Sequence, residues 1–348
     1  MPQEIVTLDG SSFHLRHYAL PALGPRDVRV KVEFAAPKHG TEAHAITGSP
    51  FDRKRWDAEL RMFLPKEDGA PAPIKTERGI GNIVVGAVSA LGAGVARLNI
   101  GDRVYGYGPI REEHQAPEDA WRTTNGLSDS DAVCTDPAHV AFVAVRDGNI
   151  RIGDTVAVYG LGAIGLMAVQ IARAGGARRV FAVDPIAIRR AYAVAHGADE
   201  AFDPRACDAA LEIKLATGRK GVDVAMETSG NARALHSAVR CIRQCGTVVH
   251  VPWGPGDCSA LHLDEEFHLN RPTVVASQCW EGWGNPDRDY PLWDGPRQRE
   301  TVADLFRAGL ITGQGLVTPI VPFEEAPQAL LAIFNRPETT IKIGVSLR

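Results

Sequence analysis

Apolar and polar residues change their period once along this chain. Over roughly the first 135 residues, apolar positions alternate with charged ones, as in Val28-Arg29-Val30-Lys31-Val32-Glu33-Phe34. That two-residue period predicts a strand with one face on a core. Gly79 to Val95 continues as a glycine-punctuated β stretch, and Gly101-Asp102-Arg103-Val104 predicts a turn into another strand. Within the charged segment 50–78, Trp56 to Phe63 reads as a short amphipathic helix. From about residue 140 the pattern alternates between strand and helix. Strands are expected at 155–159, 179–183, 200–202, 222–227, 246–251 and 273–277, with helices between most of them, including 186–196 and 230–243. Six strands joined by right-handed crossovers make a doubly wound parallel sheet. An irregular aromatic run, WEGWGNPDRDYPLW, precedes two further helices at 297–308 and 324–335 and a final β run from Ile341 to Leu347.

The first strand of that alternating part carries a specific signal. Thr155 to Tyr159 leads at once into Gly160-Leu161-Gly162-Ala163-Ile164-Gly165 and then a helical pattern. The next apolar run ends in Asp184. A glycine motif between strand and helix, with an acidic residue about 20 residues on, is the dinucleotide fingerprint. Gly160 would allow the tight turn, Gly162 the close approach of a pyrophosphate, and Gly165 tight helix–strand packing. The helix start at Ala163 and Ile164 offers backbone N–H groups and a positive dipole end to phosphate. Asp184 would accept from both hydroxyls of an adenosine ribose and repel a 2′-phosphate, which favours NAD over NADP. Arg189 completes the expected cofactor-binding set.

Composition narrows the class. A chain of 348 residues predicts two domains. With 45% hydrophobic residues and a net charge of −4, no basic excess suggests nucleic acid; Arg178-Arg179 and Arg189-Arg190 read as solvated helix ends. The opening MPQEIVTLDG lacks the profile of a signal peptide, and no apolar run is long enough to span a membrane. The six cysteines are scattered without a CxxC pair, and Cys241 and Cys245, one helical turn apart, are expected at buried helix positions. Reduced thiols in a cytoplasmic protein are the expectation.

Beyond the glycine loop, HGTEAHAITG, VVGAVSALGAGVARLNIGDRV, GLGAIGLMAVQIARAGGA, GVDVAMETSGN and VPFEEAPQALLAI resemble the medium-chain dehydrogenase/reductase superfamily, in order and spacing. The resemblance implies an α/β architecture: a GroES-like β-barrel catalytic domain, at 1–139 and 282–348, and a Rossmann NAD-binding domain at 140–281. It also implies a homodimer or homotetramer joined through the edge of the Rossmann sheet.

Departures from the zinc-dependent members bear on the chemistry. Their zinc-binding Cys is matched by His39 in His39-Gly40-Thr41, and their Gly-His-Glu segment by Gly81-Asn82-Ile83. A further ligand position is matched by Asp136, and the four-cysteine structural lobe is missing, since 105–135 contains only Cys134. Catalytic zinc takes three protein ligands and an open position. His39 and Asp136 fall short of that, so the expectation is no metal; a remodelled site recruiting His44 or His114 is the alternative. Without zinc a positioned base must take the hydroxyl proton, and imidazole suits that task. His39 is the candidate base. Thr41 and His44 match the family's proton relay, Glu42 would orient His39, and Asp136 would bind a substrate hydroxyl or orient an imidazole. Lys38, Asn82 and Tyr107 are substrate-contact candidates, together with Trp253, Trp280 and Trp283, whose indole faces suit the C–H surfaces of a sugar. The expected function is zinc-independent, NAD-dependent oxidation of a secondary alcohol on a sugar- or cyclitol-like molecule. The alternatives are an enone or quinone reductase, a polyol dehydrogenase with a remodelled zinc site, and an NAD-binding protein without catalysis.

Overall fold

The computed structural model describes residues 1–38, 50–66, 76–254, 256–279, 287–335 and 337–348. The chain divides into two compact units: Met1–Val133 with Val317–Arg336 and Lys342–Arg348, and Cys134–Leu316 with Pro337–Ile341. None of the described helices is long and apolar enough to cross a membrane.

The first unit opens with β1 (Gln3–Thr7), β2 (His14–His17), β3 (Asp27–Ala36), β4 (Lys54–Asp57) and β5 (Met62–Pro65). It continues with β6 (Arg78–Gly79), β7 (Ile83–Leu91), β8 (Arg103–Tyr107), β9 (Glu113–Pro117) and β10 (Arg122–Thr123). The second unit supplies β11 (Thr155–Tyr159), β12 (Arg179–Val183), β13 (Glu200–Phe202), β14 (Val222–Glu227), β15 (Ile242–His250) and β16 (Thr273–Ala276). The chain then returns to the first unit for β17 (Val317–Pro322) and β18 (Lys342–Ser346).

In the first unit the main sheet runs β10-β8-β7-β3-β18-β17, with β9 also on β3. The alternation read from β3 is the one observed: Val28, Val30, Val32 and Phe34 are buried, and the three valines join Ile5, Val84, Val104, Ile343 and Val345 in one core. The last β run pairs back onto the first long strand, Val345 opposite Ala35.

Around Trp56 the expectation of a helix is corrected. β4 and β5 form an antiparallel hairpin with Trp56 opposite Phe63, their rings edge-on at 5.1 Å. The Asp57 carboxylate accepts from the N–H groups of Glu59 and Leu60 and so closes the turn, and those bonds hold its pKa below the usual value. Local side-chain-to-backbone bonds of this kind compete with a helix for the same segment.

In the second unit the sheet order is β13-β12-β11-β14-β15-β16, all parallel, the doubly wound order with its switch point between β11 and β14. Its central strands β11, β12 and β14 are buried on both faces and correspondingly rich in Val, Ala and Phe. Two sequence expectations shift here. A helix at Asp129–Asp147, with Pro137 inside it, starts before the expected changeover at 139/140. The return expected at 282 contrasts with a changeover at Leu316/Val317. The helix Gly295–Arg307 buries Val302, Ala303 and Phe306, and Gln298 Oε1 lies 2.7 Å from His139 Nε2. Thr312 is bonded through its N–H and C=O to the Gln170 side chain. These contacts tie 287–316 to the second unit. Trp293, from the aromatic run, packs between the guanidinium groups of Arg146 and Arg297 at 3.9 and 4.1 Å.

The thiols also differ from expectation in one place. The helix Ala232–Cys241 ends at Cys241, so Cys245 lies in β15, exposed and with φ of 56°. Cys241 is buried, and burial pushes its thiol up to about 12. All six cysteines are present as thiols.

Candidate active site and cofactor cradle

In the second unit the glycine loop is built as its spacing requires. β11 ends in Tyr159, and Gly160 turns the chain with φ of +87°; a Cβ there would stand 2.6 Å from the Ser229 Cβ. Gly165 sits at the helix–loop contact, where a Cβ would come within 1.8 Å of the Gly160 carbonyl oxygen. Gly162 differs from both: a Cβ on it would meet nothing within 4 Å. It stands at the N-cap of the helix Ala163–Ala174 and, as a glycine, makes no side-chain cap bond to that helix N-terminus. The first N–H groups of an uncapped helix need an acceptor. An open glycine face over uncapped N–H groups therefore fits the pyrophosphate of a nicotinamide dinucleotide.

Asp184, directly after β12, is buried and its oxygens accept from the N–H groups of Leu161 (2.7 Å) and Ile186 (2.8 Å). A carboxylate has further lone pairs beyond those two bonds, so Asp184 can anchor the glycine loop and still accept from a ligand. Arg189 Nη1 stands 3.9 Å from Asp184 Oδ2. Its side chain is largely buried, and burial, partly offset by Asp184, holds its pKa below the usual value. The expectation of solvated arginines at 189–190 is thus corrected: Arg190 too is engaged, with the Asp184 carbonyl and the Asp203 carboxylate.

Three residues of this region escaped the sequence reading. Glu227, fully buried at the end of β14, accepts through Oε1 from the Ser229 N–H, the Ser229 hydroxyl and the Gly230 N–H. Its Oε2 lies 3.1 Å from His250 Nδ1, the residue opposite it in β15. Thr228 Oγ1 donates to the Gly160 carbonyl at 2.6 Å. Together they fix the turn against which Gly160 packs. A polar Glu-Thr-Ser run closing an apolar strand was the available signal.

In the first unit, one end of the main sheet gathers three of the substrate-contact candidates. Ala36, Ile83 and Tyr107 are aligned across β3, β7 and β8, which brings Lys38, Asn82 and Tyr107 to the same end. Asn82 is buried, while Tyr107 is exposed. Buried Lys342, which the sequence reading passed over, donates from Nζ to the Pro37 carbonyl at 2.7 Å and holds the chain just before Lys38.

His114, the alternative ligand, is corrected. Its Nε2 lies 2.8 Å from the Pro109 carbonyl and its Nδ1 lies 3.0 Å from Arg111 Nε, so both ring nitrogens are engaged. Burial first, then Arg111, lowers its pKa to about 3. It is a neutral packing histidine beside Trp121.

Asp136 belongs to the second unit, buried on the helix Asp129–Asp147. Trp253 follows β15 and is 41% exposed. His39, Thr41, Glu42, His44, Trp280 and Trp283 lie outside the described residues.

Comparison with known proteins agrees with this geometry. Residues 163–286 match the family model described as "Zinc-binding dehydrogenase". D-guloside 3-dehydrogenase of Escherichia coli is 38% identical over 340 residues, which cover 95% of this chain and 96% of that protein. Sorbitol dehydrogenase of Bacillus subtilis is 29% identical over 224 residues, 64% of this chain. Among solved structures, 2R,3R-butanediol dehydrogenase from Bacillus subtilis superposes with a TM-score of 0.77 at 22% identity, covering 100% of both chains. Galactitol-1-phosphate dehydrogenase from Escherichia coli gives 0.77 at 19% identity, covering 99% of each. With a whole-length relative, a parallel dinucleotide-binding sheet and a separate β unit, this chain belongs to the medium-chain dehydrogenase/reductase superfamily, as an alcohol- and polyol-dehydrogenase-like oxidoreductase.

Proposed function

We propose that the protein is an NAD-dependent dehydrogenase that oxidises a secondary hydroxyl of a sugar or glycoside to a ketone without zinc. The observation that supports this most is the whole-length likeness to D-guloside 3-dehydrogenase. A bound nicotinamide supplies the hydride acceptor. Gly160, Gly162 and Gly165, with the N–H groups of Ala163 and Ile164, would hold the pyrophosphate. Asp184 would take the ribose hydroxyls, with Arg189 beside it. A 2′-phosphate placed there would face a buried carboxylate, which favours NAD.

His39 takes the substrate proton, oriented by Glu42, and Thr41 and His44 carry it outward. Asp136 binds a neighbouring hydroxyl. Lys38, Asn82, Tyr107, Trp253, Trp280 and Trp283 form the substrate-contact set. The zinc-free reading rests on His39 in the place of a cysteine and on Asn82-Ile83 in the place of a histidine and a carboxylate. Buried Ile83 offers no donor atom. The matching family model spans 163–286 and includes none of these positions. The protein is further proposed to be cytoplasmic and to assemble as a homodimer or homotetramer.

The test is turnover by chelator-treated protein, with NAD offered against glycosides, polyols and simple alkanols, and NADPH against enones and quinones. NAD reduction on a glycoside or polyol that survives chelation is expected, and His39→Ala should lower it by about 10²-fold or more. Loss of activity to chelator would return zinc to the mechanism. Turnover of enones alone would make the protein a double-bond reductase, and NAD binding without turnover a non-catalytic member.

A further inference from the structure

Away from the cofactor cradle, the second unit brings two imidazoles and a carboxylate together. His236 lies on the helix Ala232–Cys241, His262 on the segment after β15, and Glu265 at the start of the short helix Glu266–Asn270. One ligand atom from each lies within 4.8 Å of the others. We propose that His236, His262 and Glu265 form a binding site for a divalent transition metal of the Zn2+ class, pinning the approach to β16 onto the helix Ala232–Cys241.

The separations suit an ion. His262 Nδ1 is 3.0 Å from Glu265 Oε1, whereas His236 Nε2 is 3.8 Å from Glu265 Oε2, too far for a hydrogen bond. Around tetrahedral zinc with bonds of about 2.0–2.1 Å, ligand atoms stand roughly 3.3 Å apart. Closing the cluster therefore asks for small movements of His262 and Glu265, whose side chains are half exposed. The His236 Nδ1 atom is buried and has no hydrogen-bond partner among the described residues. The two ring centroids already stand 4.9 Å apart, with the rings tilted by 36°.

The donor set decides the metal. Two imidazoles and one carboxylate suit Zn2+, Ni2+ or Cu2+ rather than Ca2+ or Mg2+, which take oxygen ligands. The local field favours a cation, because Asp264, Glu265 and Glu266 all bear on His262. Arg240, the nearby positive group, is already paired with Asp208 and Glu266. Three protein ligands would leave a coordination position for water.

The site also has something to hold. The helix Glu266–Asn270 has no side-chain cap at its start and no buried residues. Leu263 and Leu269 on either side of that start are exposed. Leu261 and Phe267 pack partly buried against the core, and an ion joining Glu265 and His262 to His236 would add a second anchor on the exposed side of this segment.

Chelator-treated full-length protein would be titrated with Zn2+ by calorimetry and its melting followed, alongside His262→Gln and His236→Gln. Wild type should take up one more Zn2+ than either variant, and only wild type should gain several degrees in melting temperature from that ion. Without metal, His262→Gln should melt with wild type, since its side chain is half exposed, which keeps the comparison clean. Equal Zn2+ stoichiometry and equal stabilisation in wild type and His262→Gln would overturn the site and place any bound ion elsewhere. No uptake by any of the three proteins would overturn it as well.

Discussion

Gly162 and Gly165 stand three residues apart in one motif, yet their surroundings differ. Gly165 is pressed against the Gly160 carbonyl, while Gly162 faces open space and has a φ of −68° that any residue adopts. Gly165→Ala should therefore cost folding stability, about 1–3 kcal/mol for an overpacked site. Gly162→Ala should leave the melting temperature unchanged and weaken NAD binding by about tenfold or more, because its methyl group would occupy the space a pyrophosphate needs. Calorimetric NAD titration and thermal melting of both variants separate the two effects, and unweakened binding by Gly162→Ala would remove that face from the cradle. Asp184 has two roles that one substitution should split. Asp184→Ala should lower the melting temperature by releasing the Leu161 and Ile186 N–H groups, and should raise the preference for NADP over NAD. An unchanged cofactor ratio would leave Asp184 only its anchoring part. The spacing of these residues was legible in the sequence because each has a backbone or charge requirement that few residue types meet. His250 and Lys342 were not legible, because their partners, Glu227 and the Pro37 carbonyl, are distant in sequence and a buried polar group looks like a surface one until its neighbours are known.

At the scale of elements, alternation along β3 and the apolar runs of β11, β12 and β14 carried the strand assignments, since a buried face or a doubly buried strand constrains every second or every residue. The helix Asp129–Asp147 was hidden because apolar and small residues line most of its circumference, with Val133, Cys134, Ala138, Ala141 and Ala144 all buried, and because Pro137, inside it, reads as a helix breaker in sequence. The β4–β5 hairpin was hidden by its short strands and by a turn closed through the Asp57 side chain. Strand β9 carries a measurable pH dependence. His114 there titrates near 3 when folded, below the ordinary 6.5 of an exposed imidazole. Between those values the unfolded chain holds a proton that the folded chain does not. Its contribution is intact above pH 6.5 and is lost on acidification, by at most about 1.4 kcal/mol per pH unit. Urea unfolding at pH 7.5 and pH 5 should show this loss, and His114→Gln should reduce it. Equal losses in both proteins would mean that His114 titrates freely.

At the scale of the whole molecule, β16 closes one edge of the six-stranded sheet, with Val274 exposed on it. Edge strands with exposed apolar residues invite pairing with another chain. If that edge joins two copies, Val274→Lys should shift the protein to a smaller species by light scattering while its melting in dilute solution stays close to wild type. Equal sizes would assign the assembly to another surface. The division into two units was legible from the change of period near residue 140, but the return was not. Nothing in the sequence of 287–316 marks it as belonging with the sheet before it rather than the strands after it; the contacts of Gln298 and Thr312 decide that.

The order of strands in the first sheet has a consequence for synthesis. β18 lies between β3 and β17, so a strand made late stands beside one made much earlier. By the time residue 276 has emerged, all six strands of the parallel sheet exist, whereas the earlier-made β unit still lacks two neighbouring strands of its main sheet. A growing chain therefore holds all of its second unit's sheet before β17 and β18 join the sheet begun earlier. During that interval β3, already flanked by β7 and β9, lacks its partner at Phe34 and Ala35.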